Sequence, residues 1–391
     1  MRAMKLKLYP TKQQAMLIKL NIDNARFVYN HCLTLNKELY EATKEHLNHF
    51  DMNKHITMLK SQDEYEWLKQ SNSQVLQQSL KRLDLAYKAF FRRIKQGDTP
   101  GFPKFRSKYD TIQSISYPQG IKFNNVYSKV YIPKIGYIKV RGYRKDITGD
   151  IKTSILKSLG NNIYTLSITV DYKNQESTNE WYVNNKPNAI GIDVGVKKIV
   201  TDSNSNMIKP MVLTPYINNI KHIQAKLATM KKRTCRYRTI KNKLSKAYRK
   251  YANVKLNFLH HIANQYVGYK VVYVEDLRIS KMTKNIKGTV DNPIYESKQK
   301  SNLNNRILQQ SWGTLFELLE YKLKEHGSML VKVAPEYTSQ MCSKCGNIDK
   351  ASRDRENYIC TACGHKIDAD HNAAINILNK GIHGNSYGKV A

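Results

Sequence analysis

The sequence predicts a chain of several domains, α+β in its N-terminal half and α/β in its C-terminal half, with a short cysteine-bearing insert near the end. Three observations predict it. A length of 391 residues with 41% hydrophobic side chains supports two to four units, each with its own core. Residues 112–182 alternate apolar and polar positions and are rich in β-branched and aromatic side chains. From 190 to 380, short apolar runs alternate with amphipathic helical stretches, the signature of an α/β domain.

In chain order, "MKLKLYP" alternates apolar and basic residues as a short strand does, and Pro10 ends it. Thr11 with Gln14 makes a capping box for the helix that follows. Helical patterning then continues to about residue 97. Its clearest stripe is Leu76, Leu80, Leu83, Tyr87, Phe90 and Ile94, spaced by threes and fours. The loop "GDTPGFPKFRSK" breaks it. "VYSKVYIPKIGYIKV" and "NNIYTLSITVDY" then predict a small antiparallel barrel or sandwich that the N-terminal strand can join, closed by the polar linker "NQESTNEWYVNNKPN". "AIGIDVGVKKIVT" and "YKVVYVEDLRI" read as buried strands separated by a long basic helical region. "ILQQSWGTLFELLEYKLKEHG" is an amphipathic helix closed by Gly327, "SMLVKVAP" a further strand, and "GIHGNSYGKVA" a loose tail.

Sixty-five Lys and Arg against 31 acids give a net charge of +34, which suits a polyanionic partner, nucleic acid first. A membrane is the rival, but no apolar run approaches the roughly 18 residues that a spanning helix needs. The N-terminus lacks the apolar core of a signal peptide, so a cytosolic or nucleoid location is expected. Residues 203–274 carry no Asp or Glu but fifteen Lys or Arg, densest in "KKRTCRYRTIKNKLSKAYRK" with Lys231, Lys232, Arg233, Arg236 and Arg238. Solvated helix faces usually mix charge signs, so this run is expected to contact phosphate.

Cys342, Cys345, Cys360 and Cys363 form two Cys-x-x-Cys pairs fourteen residues apart, each followed by a glycine. A long chain with few cysteines is not a disulfide scaffold, and four thiolates at this spacing make a closed tetrahedral Zn2+ site of structural use. Directly after them, "DADHNAAINIL" opens a helix with Asp368 and Asp370. Asp193 is expected at the centre of the otherwise apolar strand "IGIDVG", and Glu275 lies at the tip of "VVYVED". A buried acid is costly unless it is paired or on a metal. Three acids at strand and helix ends of one α/β domain suit two hard divalent cations about 4 Å apart, clamping the attacking and leaving oxygens of a phosphodiester. Spacing alone leaves open which of Asp368 and Asp370 caps the helix and which faces the site.

"GIDVGVKK", "VYVEDL", "YTSQMCSKCG", "CTACGHKIDADHNAAINIL", "LQQSLKRLDLAYKAFF" and "GFPKFR" together resemble the TnpB family of transposon-encoded, RNA-guided nucleases, related to the type V CRISPR effectors. The resemblance covers most of the chain in the family's order. It implies an N-terminal wedge β-barrel (1–11 and 110–182) with an inserted helical recognition lobe (12–109). A RuvC-like nuclease domain of RNase H fold (188–334 and 366–380) then carries a zinc-binding insert (335–365), before a tail (381–391). It implies a Mg2+-binding triad of Asp193, Glu275 and Asp370, which selects Asp370 over Asp368. It further implies a monomer that binds a guide RNA and cuts duplex DNA beside a short motif, with Gln77 at a position that contacts this motif; Ser73 and Gln74 match less well. Sequence would then be read by base pairing. The alternatives are a nuclease-inactive RNA-guided repressor, against which the complete triad counts, a guide-independent nuclease or transposase of the same fold, and a structural nucleic-acid-binding protein, which leaves the acids unexplained.

Overall fold

The computed structural model describes residues 2–110, 112–124, 128–141, 150–160, 162–171, 188–232, 234–283 and 297–384. Most of the expected linker, Arg233 and the last residues of the tail lie outside them. The chain divides into two compact units, Met1–Gln175 and Glu176–Ala391.

In the first unit, β1 (Arg2–Tyr9) runs through the middle of a seven-stranded antiparallel sheet. The others are β2 (Gln113–Tyr117), β3 (Lys122–Asn124), β4 (Lys129–Ile132), β5 (Gly136–Arg141), β6 (Asp150–Ser158) and β7 (Tyr164–Asp171). Their order is β2-β6-β7-β1-β5-β4-β3, so β2 and β3 are its edges, and no pairing among the described residues closes it into a barrel. Period-2 alternation buries Met4, Leu6 and Leu8 and leaves Lys5 and Lys7 in solvent. Three helices share this core: α1 (Lys12–Thr43), α2 (His49–Leu59) and α3 (Ser73–Lys95). The capping box of Thr11 and Gln14 starts α1, and Asn72 caps α3. On α3 the buried stripe ends at Tyr87. Ile94, placed on the stripe by its spacing, is exposed because the helix outruns the surface it packs on.

The second unit holds a mixed sheet in the order β10-β9-β8-β11-β12. Its strands are β8 (Ala189–Asp193), β9 (Val200–Asp202), β10 (Met207–Ile208), β11 (Val271–Glu275) and β12 (Met329–Val333). β11 is parallel to β8 and β12, while β9 is antiparallel to β8. The helices are α4 (Thr214–Ala228), α5 (Cys235–Tyr266), α6 (Ile279–Met282), α7 (Ser297–Gln310), α8 (Trp312–Glu325) and α9 (Ala369–His383). Three short strands, β13 (Arg353–Asp354), β14 (Asn357–Ile359) and β15 (Lys366–Asp368), pair within the cysteine insert. Two sequence expectations need correction. Asp193 is not central in its strand but ends it, because the chain turns there and the Gly195 N–H closes on the Lys198 carbonyl at 3.0 Å. The tail also begins later than residue 381, since α9 keeps its hydrogen-bonded turns through His383. Among the described residues no helix is long and apolar enough to cross a membrane.

Candidate functional site

Parallel pairing of β8 with β11 sets Val274 beside Ile192, so Asp193 and Glu275 emerge next to each other at the carboxyl ends of adjacent strands. Helix α9 lies directly on this sheet. A Cβ on Gly191 would come within 2.2 Å of the Ala374 carbonyl oxygen, so only glycine permits the approach. Buried Ala369, Ala373 and Ala374 keep the helix small near its start. The start of α9 therefore brings Asp370 to the same end of the sheet as the two strand acids.

Asp368 and Asp370 divide their work. The Asp368 carboxylate is the N-cap, accepting the backbone N–H of Asp370 and of His371 at 3.1 Å each. Burial works against its charge, but the Lys198 ammonium on one of its oxygens and these backbone donors hold its carboxyl below the usual range. Asp370 sits in the first turn, with Arg353 donating to Oδ1 at 3.0 Å and Lys198 3.5 Å from Oδ2. Burial pushes the Asp193 carboxyl up to about 7, helped by the negative charges of Glu275 and Asp370 and opposed by Arg353. Burial also raises Glu275, against the hydroxyl of Thr338, which donates to its Oε1. Lys198, Arg353 and Thr338 were not singled out in the sequence. They come from a turn, a short hairpin and a loop, whose side-chain direction no periodicity reports.

Hard oxygen donors crowded enough to oppose one another's ionisation fit Mg2+ rather than a soft metal. The carboxylates lie farther apart than the cysteine thiols, which among the described residues are the only group of donors held within 4.8 Å of one another. The raised Asp193 carboxyl has a consequence for stability. Its folded value lies above the unfolded one, so from about pH 4 to 7 the folded protein keeps a proton that the unfolded chain loses, and stability falls by about 1.4 kcal/mol per pH unit. In chelator, Asp193→Asn is expected to melt higher than wild type at pH 8, with the gap closing towards pH 4. Thermal unfolding across that range checks it; a variant less stable at pH 8 contradicts it.

The four thiols form a second site. Cys342 and Cys363 Sγ lie 3.8 Å apart and Cys345 and Cys360 Sγ 3.6 Å apart. A tetrahedral ion with Zn–S bonds of about 2.3 Å requires S···S near 3.8 Å, so the set fits Zn2+ and is too wide for disulfides. Each pair makes the same tight turn: the Gly346 N–H bonds the Cys342 carbonyl and the Gly364 N–H that of Cys360, both at 2.9 Å. Both glycines have positive φ, +76° and +66°. Backbone N–H groups, that of Cys363 first, draw the Cys360 thiol down to about 7.

A polar ladder on α9 ties these turns to the carboxylates. Asn372 Nδ2 donates to the Met341 carbonyl at 2.8 Å, and its Oδ1 accepts the Ser343 N–H at 3.0 Å. Asn376 Nδ2 donates to the Thr338 and Met341 carbonyls at 2.9 and 2.7 Å, and Lys380 to that of Ala334 at 3.2 Å. Spaced by four, these side chains share one helix face. Cys342→Ser or Cys360→Ser is therefore expected to lose the metal and, through this ladder, to loosen Thr338 against Glu275. Elemental analysis finding no stoichiometric zinc in active protein would contradict the site.

Among the predicted nucleic-acid contacts, Lys231, Lys232, Arg236 and Arg238 are exposed around the turn between α4 and α5. α5 buries Leu259, Ile262, Ala263 and Tyr266 only, all in its last third. The remainder packs on α4, for example through Gln224 to the Tyr248 hydroxyl at 2.8 Å. Gln77 is exposed on α3, one turn beyond Ser73 and Gln74, which line an open depression with Gln119, Gly120 and Lys134.

Three family models match the chain: "Helix-turn-helix domain" over residues 1–45, "Probable transposase" over 167–286 and "Cas12f1-like, TNB domain" over 312–377. The first name does not describe what its residues form here, which is a strand and one long helix. The "Putative RNA-guided DNA endonuclease InsQ" of Escherichia coli (strain K12) is 32% identical over 390 residues, covering 97% of this chain and 92% of that protein. The "CRISPR-associated endodeoxyribonuclease Cas12f1" of Sulfoacidibacillus thermotolerans is 46% identical over 72 residues, 17% of each chain. The cryo-EM structure of a Cas12f1–sgRNA–target DNA complex aligns with 97% of this chain and 99% of its own at a TM-score of 0.35 and 19% identity. At 32% identity to InsQ over 97% of this chain and 92% of that protein, the chain belongs to the TnpB family.

Proposed function

We propose that the chain is an RNA-guided DNA endonuclease that hydrolyses phosphodiester bonds of duplex DNA beside a short motif, as a monomer with its guide RNA. The observation that carries this reading is the meeting of Asp193, Glu275 and Asp370 at the ends of two parallel strands and one helix. These three carboxylates would hold Mg2+, which supplies Lewis-acid stabilisation of the phosphoryl oxygens and an activated water. The chain's own residues do the rest. Thr338 and the Asn372–Asn376–Lys380 ladder hold Glu275 and the loop above it. Asp368 caps α9 and keeps Lys198 beside Asp370. Lys198 and Arg353 neutralise part of the acidic cluster, so that a polyanionic strand can approach it. Exposed cations on α5 would grip phosphates without reading bases. The name of the E. coli relative, an RNA-guided DNA endonuclease, supports the substrate and guide. The test is to sequence RNA that co-purifies with the full chain: a discrete species is expected, and a random population or none would refute guidance.

A further inference from the structure

Two arginines of the first unit are held in a way that internal packing does not explain. Arg82, on α3, and Arg106, in the loop that leads to β2, line one cavity of about 240 Å³ with Arg26, Asp110, Gln113 and Ser114. Arg26 has its carboxylate, Asp23, at 2.5 Å. Among the described residues neither Arg82 nor Arg106 has a carboxylate within 4.0 Å. Asp84, two residues beyond Arg82 on α3 and buried, pairs with Lys88 at 2.8 Å instead, and Asp110 receives the Ser107 N–H at 3.3 Å. Arg82 meets only neutral oxygens, the Ser114 carbonyl and hydroxyl at 3.4 Å and the Ser116 hydroxyl. Arg106 stacks 3.6 Å over the Tyr29 ring, and its guanidinium bonds only hydroxyls, that of Tyr29 and that of Ser79 at 3.3 Å.

Such an arrangement is costly in the free protein. Burial disfavours the charge on both guanidiniums, and Arg82 adds like-charge repulsion to Arg106. Among the described residues the Arg106 guanidinium finds only the Ser79 and Tyr29 hydroxyls, which leaves N–H donors of its fork for a further acceptor. The planar fork, fixed by Tyr29 on one side and by serine hydroxyls on the other, matches the oxygens of a phosphate. The same loop exposes Phe102, Phe105 and Tyr109 interspersed with Lys104 and Lys108, and the Lys37 ammonium lies over both phenylalanine rings, a mixture of aromatic and basic groups suited to a nucleic-acid strand.

We propose that Arg82 and Arg106 form a binding site for one phosphodiester group of a nucleic-acid backbone. The phosphate chemistry stands on the geometry alone; its source in a nucleic acid rests on the function proposed above. The site completes its charge only when the strand is in place, and it contributes affinity without sequence preference.

The test uses the full chain in chelator, so that binding is read without cleavage. The variants are Arg82→Gln/Arg106→Gln and Ser114→Asp, the second placing a carboxylate where Arg82 already reaches. The readouts are melting temperature in inorganic phosphate against chloride of equal ionic strength, and the salt dependence of affinity for labelled single-stranded RNA and duplex DNA. Wild type is expected to be stabilised by phosphate. Ser114→Asp should melt higher in chloride and lose the phosphate response. Both variants should flatten the log–log salt slope by about 0.7 to 0.9, one phosphate contact, for the strand that occupies the site. Flattening for RNA alone assigns the site to the guide, and for duplex alone to the DNA. If the double variant does not fold, Ser114→Asp carries the same comparison. Unchanged slopes for both strands overturn the proposal, as does a Ser114→Asp variant that keeps the full phosphate response.

Discussion

Asp370→Ala is expected to lower DNA cleavage by about a thousandfold or more, while affinity for RNA and DNA stays within about twofold. A thousandfold corresponds to roughly 4 kcal/mol of transition-state stabilisation, the scale expected when a metal loses a carboxylate. Asp193→Ala and Glu275→Ala should behave alike, because the three side chains meet at one place. Asp368→Ala is the sharp contrast. It removes the cap of α9, worth about 1 kcal/mol, and one partner of Lys198, so activity should stay within about tenfold of wild type. Cleavage and filter binding of the four variants at one Mg2+ concentration check this. A dead Asp368→Ala beside an active Asp370→Ala would exchange the two roles.

Gly191→Ala is expected to be as damaging as losing an acid, although it touches no charge. Its Cβ would lie 2.2 Å from the Ala374 carbonyl oxygen and 2.6 Å from the Leu378 nitrogen, both backbone atoms of α9. Neither can swing aside as a side-chain end could, so the whole helix, with Asp370 on it, must move. Overpacking of this kind costs on the order of 3 kcal/mol, and cleavage should fall with it. Gly268→Ala is the control, since its Cβ meets nothing within 4 Å. Equal melting temperatures for both variants would show that α9 does not lie on β8 as described.

How much of this was legible in the sequence depended on the range of the interaction that fixes each part. Local signals carried well: Thr11 and Gln14 start α1, and alternation along "MKLKLY" buries Met4, Leu6 and Leu8. The cysteine pairs were readable because their turns are local, each closed by a glycine with positive φ. Asp193 was read one step too deep in its strand, because apolar Val194 follows it and hides the strand end. Arg353 and Thr338 escaped altogether. They reach Asp370 and Glu275 only through the folded insert, and nothing in their spacing records it. The pair Arg82 and Arg106 escaped for a related reason. What marks it is the lack of a carboxylate partner among the described residues, which a sequence cannot display.

The central claim is that one chain joins a guide to a carboxylate centre that cuts DNA. It is tested most directly by loading the purified chain with its co-purifying RNA, re-programmed in the guide segment to a chosen target. Plasmids with and without that target are then incubated in Mg2+. Mg2+-dependent cleavage of the matching plasmid alone is expected, abolished by Asp370→Ala. Cleavage that ignores the guide segment, or none by a chain that still binds the matching plasmid, would contradict it.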